Sequence, residues 1–82
     1  MTDRLSTEHM LQTLRAAWEL CPIYSLWRHR VKGDVYVVRD NSFREHDMIV
    51  TVTYHPVGEP NVRFNRALVE FIERFELLEG TR

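Results

Sequence analysis

The chain is poor in the residues that announce catalytic machinery. Cysteine occurs once in 82 residues, at Cys21. An intramolecular disulfide and a thiolate metal cluster are excluded within one chain. Cys21 sits beside Pro22 at the end of an apolar pattern, which reads as a small buried hydrophobe. Glycine numbers three, widely separated, so no Gly-rich phosphate loop is present. No apolar run approaches the roughly 20 residues a membrane-spanning helix needs. The opening stretch MTDRLSTEHM is polar and lacks a signal-peptide core, so the expected location is cytoplasmic. Neither sign of charge dominates. The net charge of -1 argues against a general electrostatic grip on nucleic acid, and any anion site must be a local patch.

What is present suits one small domain. A hydrophobic share of 44% permits a packed core without staples. Such a core is only marginally stable, so pairing with a second copy would add to it. Residues 7–20 read as an amphipathic helix. Ser6 or Thr7 can cap its first N–H groups, and Glu8 suits the positive end of its dipole. Met10, Leu11, Leu14, Ala17, Trp18 and Cys21 form its apolar stripe, and Pro22 ends it. That stripe covers either the domain's own sheet or a dimer interface centred on Leu11, Leu14 and Trp18.

From residue 23 the pattern turns to strands. IYSLW (23–27) is short and aromatic-rich. DVYVVRD (34–40) is β-branched and aromatic. DMIVTVTY (47–54) alternates, with Met48, Val50, Val52 and Tyr54 on one face. Lys32-Gly33-Asp34 reads as a tight turn, NSFREH (41–46) as a polar connection and HPVGEP (55–60) as a loop. NVRF (61–64) reads as a further strand. For residues 66–78 two readings stand. Leu68, Phe71, Ile72, Phe75 and Leu78 fit a helical stripe, while Phe75 and Leu77 also alternate as a strand would.

Two patches carry a resemblance. WRHRVKGDVYVV (27–38) resembles the opening signature of a small bacterial and phage family of unknown function. Its members begin with an aromatic, then Arg-His, a Lys-Gly turn and a Tyr-x-Val strand. The matching positions are Trp27, Arg28, His29, Lys32, Gly33, Tyr36 and Val38. RALVEF and IERFELL resemble the closing element of that family through Arg66, Leu68, Phe71 and Phe75. Two residues, Arg30 and Val31, stand where the family has one. His55 follows Tyr54 where the family commonly has Arg, and the approach EPNVRFNRAL is longer than usual. The resemblance implies an α+β, mainly β fold: a small SH3-like five-stranded barrel (23–82) preceded by an N-terminal amphipathic helix (1–22). It also implies a helical turn at 66–71 and a last strand at 72–78.

Chemistry-bearing constellations are few. His9, His29, His46 and His55 have no zinc-ligand spacing, so no metal or other cofactor is expected. Ser25 and Ser42 lack a nucleophile-elbow context. Glu70, Glu73, Glu76 and Glu79 read as a solvated acidic series rather than a convergent acid–base pair. An enzyme is therefore not expected. The best candidate site is cationic and aromatic. Arg28, Arg30 and Lys32 alternate on a strand end, and Arg63 and Arg66 come from a later strand and turn. With Trp27 and Tyr36 they suit a phosphate, carboxylate or nucleobase. The competing reading pairs Arg28 or Arg66 with Glu70 or Glu73.

The first functional expectation is a non-catalytic interaction module that binds a protein partner or itself as a homo-oligomer such as a dimer. The alternative is a binder of an anionic small molecule such as a nucleotide. If the gene is viral, that protein would sit in the bacterial host cytosol and sequester a host immune signal. A second alternative is a nucleic-acid-binding small barrel, disfavoured by the charge.

Overall fold

The computed structural model describes residues 6–79. Residues 1–5 and 80–82, at the ends of the two expected segments, lie outside the described residues. Ser6 is the N-cap of α1 (Thr7–Leu20), and its Oγ accepts the His9 N–H at 3.1 Å. Cys21 closes the helix by donating its N–H to the Ala17 carbonyl, and Pro22 cannot continue it. One edge of the expected stripe faces inward: Ala17 and Cys21 are buried, and Met10 and Leu14 are half-buried. α1 packs there on the strands at Val35–Arg44 and Ile49–Pro56. Leu11 and Trp18 lie outside that contact, 45% and 39% exposed.

The five strands are β1 (Leu26–His29), β2 (Val35–Arg44), β3 (Ile49–Pro56), β4 (Phe64–Ala67) and β5 (Phe75–Glu79). They form one antiparallel sheet in the order β4-β3-β2-β1-β5. A second helix, α2 (Leu68–Arg74), joins the two edge strands. The fold is thus α+β and mainly β, as expected. The ladder is open between β4 and β5, so the expectation is met as a five-stranded sheet and not as a closed barrel.

Several boundaries differ from the sequence reading. The segment 41–46 is not a loop: β2 runs on to Arg44, and the turn follows it. Asn41 faces inward there, buried, and donates from Nδ2 to the Cys21 carbonyl. Ser42 pairs with Thr51 across the ladder. Polar side chains that find partners can occupy a strand, and composition alone does not show those partners. The strand expected at 61–64 starts at Phe64, and the one expected at 23–27 starts at Leu26. The last segment resolves into helix followed by strand, with the change at Phe75. Phe71 and Phe75 share a helical spacing across a boundary where the backbone becomes extended, so periodicity ran through it.

The core is a cluster of rings. Phe71 stacks on Phe75 with centroids 4.4 Å apart, and Tyr54 and Trp27 close on Phe71 at 4.9 and 5.0 Å. Val38, Val52 and Leu68 complete it beneath α1 residues Ala17 and Cys21. The Trp27 Nε1–H is satisfied inside this core by Ser25 Oγ at 2.9 Å. Ser25 is itself fully buried and donates to the Pro22 carbonyl. This chain of hydrogen bonds lets a Trp be buried without an orphaned donor.

Candidate functional site: an aromatic pocket with a cationic rim

The site begins in the turn between β1 and β2. Gly33 adopts φ +85, a left-handed conformation that an L side chain takes only with strain. The turn closes back on His29, whose carbonyl accepts the Gly33 N–H at 2.8 Å. The His29 ring takes part as well. Its Nδ1 accepts the N–H groups of Val31 and Lys32 at 3.3 and 3.1 Å. With both amides aimed at it, Nδ1 is the acceptor of the ring and Nε2 is left as its donor. The ring packs edge-on against Phe75 at 5.0 Å.

His29 and Lys32 form one wall of a pocket of about 210 Å³; Tyr36, Tyr54, Phe64, Arg66 and Phe75 form the rest. The aromatic residues reach it from four strands. Tyr36, Tyr54 and Phe75 meet mostly edge-to-face at 5.4–5.5 Å. Phe64, 45% exposed, extends this wall to the edge of the sheet.

Arg66 supplies fixed charge. Its Nε donates to the Tyr54 hydroxyl at 3.2 Å, and its Nη1 lies 3.6 Å from Glu70 Oε1. Its guanidinium lies 6.0 Å from the centroid of the Phe75 ring. The Tyr54 hydrogen bond pushes its pKa up against partial desolvation, so the cation is secure. The Tyr36 phenol is also held above its ordinary value, first by burial and then by Asp34 and Tyr54, with Arg66 opposing. It is therefore a neutral donor at physiological pH. No carboxylate lines the pocket.

The structure gathers only part of the expected site. Lys32, Tyr36 and Arg66 meet in the pocket. Trp27 does not: it is 5% exposed and belongs to the core. Arg28 pairs with Glu76, its neighbour across the β1–β5 ladder, with Nε at 2.8 Å. Arg30 is a helix cap. Its backbone N–H reaches the Arg74 carbonyl at 2.9 Å, and its Nε reaches the Glu73 carbonyl at 3.0 Å. These are the carbonyls that the end of α2 leaves without intrahelical partners. Arg63 donates to the Pro60 carbonyl within its own loop. Leu11 and Trp18 stay exposed on α1, with Leu14 half-buried between them.

The alternation expected for Arg28, Arg30 and Lys32 fails because the chain turns at Arg30, which swings Lys32 to the side of His29. Sequence reasoning missed His29, Tyr54, Phe64 and Phe75 as site residues. The signal available was the inward phase of Tyr54 on β3, opposite Phe64 on β4. His46 lies 3.5 Å from Asp47, but that carboxylate is already held by Arg44 and by the Ile49 N–H. Arg44 lowers the Asp47 pKa, with the Ile49 N–H adding to the effect. Among the described residues no cluster of His, Cys, Asp and Glu could hold a metal ion, and no helix is long and apolar enough to cross a membrane. In comparisons with known proteins, no family model, no curated protein and no solved structure matches the chain.

Proposed function

We propose that this chain is a non-catalytic binding module that takes an anionic ligand into the aromatic pocket. One observation carries the reading. Lys32, Arg66, His29 and Tyr36, from different elements, line one pocket to which no carboxylate contributes. Hydrogen bonds from charged donors to an anion are stronger than those between neutral groups. Arg28, Arg30 and Arg66 all have protein partners, and Arg66 pairs with Glu70 as the competing reading had it, but of the three only Arg66 also lines the pocket. We also read the sheet as a member of the SH3-like class. The strand order and the helix between the two edge strands support this.

The test is a titration of the ¹⁵N-labelled protein with inorganic phosphate. The amides of Val31, Lys32 and Arg66 should shift. Arg66→Gln should weaken binding roughly tenfold to a hundredfold, the usual worth of a hydrogen bond to a charged group. Because Arg66 also holds Tyr54, Lys32→Ala on the exposed turn provides the second variant, with a smaller loss. An unmoved wild-type spectrum at high phosphate would rule the reading out.

A second reading has its own observation. Leu11, Trp18, Leu20, Ile23 and Tyr24 are all exposed on or beside α1. Scattered apolar residues are ordinary, but Leu11 and Trp18 share one side of α1, which suits a protein partner or a second copy. Sedimentation velocity over a concentration series should then show association that Trp18→Ser abolishes. A monomer at every concentration would leave only a different protein as partner.

A further inference from the structure

We infer that the group entering this pocket is an aryl phosphate: a single aromatic ring carrying one phosphate, with the ring against Tyr36 and Phe64 and the phosphate between Lys32, Arg66 and His29. This rests on the reading of the pocket as an anion site and names the ligand class.

Volume sets the size. An apolar cavity of about 150 Å³ accommodates benzene. The pocket is about 210 Å³, which exceeds that by roughly the share of two water molecules in the liquid. One ring and one small anionic group fill it, and a second fused ring would stand outside. The site is open at the Phe64 edge, so further substituents can leave that way.

Hydrogen-bonding chemistry sets the polarity. Lys32 and Arg66 offer only donors, and His29 in its fixed tautomer offers Nε2–H. The Tyr36 phenol donates as well. No carboxylate or carboxamide side chain lines the pocket, so a ligand N–H would find only the Tyr36 and Tyr54 hydroxyls as side-chain acceptors. A nucleobase, whose edge mixes several donors and acceptors, is matched less fully there than a group with acceptors alone. A phosphate presents acceptors alone. Its tetrahedral oxygens meet donors arriving from the turn, from β4 and from the His29 ring, where a planar carboxylate has only two oxygens to share. The ring is specified by the wall itself. Tyr36 and Phe64 meet at an interplanar angle of 76° with 6.3 Å between centroids, and a third ring can pack against both.

The experiment titrates the full chain with phenyl phosphate, cyclohexyl phosphate, inorganic phosphate and benzoate, read by calorimetry and amide shifts. Phenyl phosphate should bind about tenfold more tightly than inorganic phosphate and several-fold more tightly than cyclohexyl phosphate. Phe64→Leu keeps the apolar bulk and removes the ring. It should erase the preference for phenyl over cyclohexyl phosphate. A short phosphotyrosine peptide completes the series: tighter binding than phenyl phosphate assigns the group to a protein side chain, and weaker binding assigns it to a free small molecule. Equal affinity for the three phosphates, or for benzoate and phenyl phosphate, overturns the aryl phosphate assignment while the anion site stands. Binding of none of them removes both.

Discussion

Replacing Phe71 with alanine should remove most of the stability of this protein. Phe71 is fully buried and touches three other rings, at 4.4 Å to Phe75, 4.9 Å to Tyr54 and 5.0 Å to Trp27. Truncating a buried phenylalanine costs about 3–5 kcal/mol through lost transfer energy and the cavity left behind. A domain of 82 residues has only about 4–12 kcal/mol to lose, at the usual stability per residue. The variant should therefore show a urea midpoint, followed by tryptophan fluorescence, reduced by at least about a quarter and up to complete loss of the folded state. Phe71→Leu, closer in volume, should stay folded with a loss of about 1–2 kcal/mol. The effect is large because Phe71 comes from α2, the segment that joins the two edges of the sheet. A midpoint within error of the parent would mean that α2 is not docked, and the pocket built on Phe75 beside it would lose its floor.

The residue patterns carried the α+β, mainly β fold further than the site. α1 is legible because capping, stripe and stop signal agree: Ser6, the Met10–Cys21 spacing and Pro22. β2 is legible only at its start. Beyond Arg39 it continues through Asp40, Asn41 and Ser42, residues that usually mark turns and here find partners on β3 and α1. The site was half legible because the cluster WRHRVK mixes three jobs that composition cannot separate. Trp27 points into the core. Arg28 and Arg30 serve β5 and the end of α2, through Glu76 and the Glu73 and Arg74 carbonyls. Only His29 and Lys32 face the pocket. Those assignments depend on what lies across space at residues 73–76, more than forty positions along the chain. Phe64 was harder still, since its strand has four residues and its phase is set by pairing with Tyr54.

Cys21 should react with a thiol reagent at least about a thousandfold more slowly in the native protein than in urea. Its side chain is fully buried between the end of α1 and the sheet. Burial pushes the thiol pKa from 9.0 up to about 12. Thiolate is the reacting species, so a rise of about three units cuts its fraction about a thousandfold, before steric exclusion adds to it. The same shift has a consequence for stability. Below pH 9 the thiol is neutral in both folded and unfolded chains and contributes no pH dependence. As pH rises from about 9 toward 12, the unfolded thiol ionises first, which favours the unfolded state. The melting temperature should therefore fall through that window, and Cys21→Ala should lessen the fall. Tyr36, raised in the same direction, keeps part of it.

The labelling rate also separates two ways in which α1 can be held. Its buried anchors are Ala17 and Cys21, while Leu11 and Trp18 remain in solvent. If labelling requires global unfolding, its rate follows the urea stability and α1 belongs to the cooperative core. If Cys21 reacts quickly while the Phe71 cluster stays folded, α1 detaches on its own. Met10, Leu14, Ala17 and Cys21 then join Leu11 and Trp18 as one continuous apolar face. In that case the helix is the element a protein partner would capture, and the rate measured with increasing protein concentration would show whether that partner is a second copy.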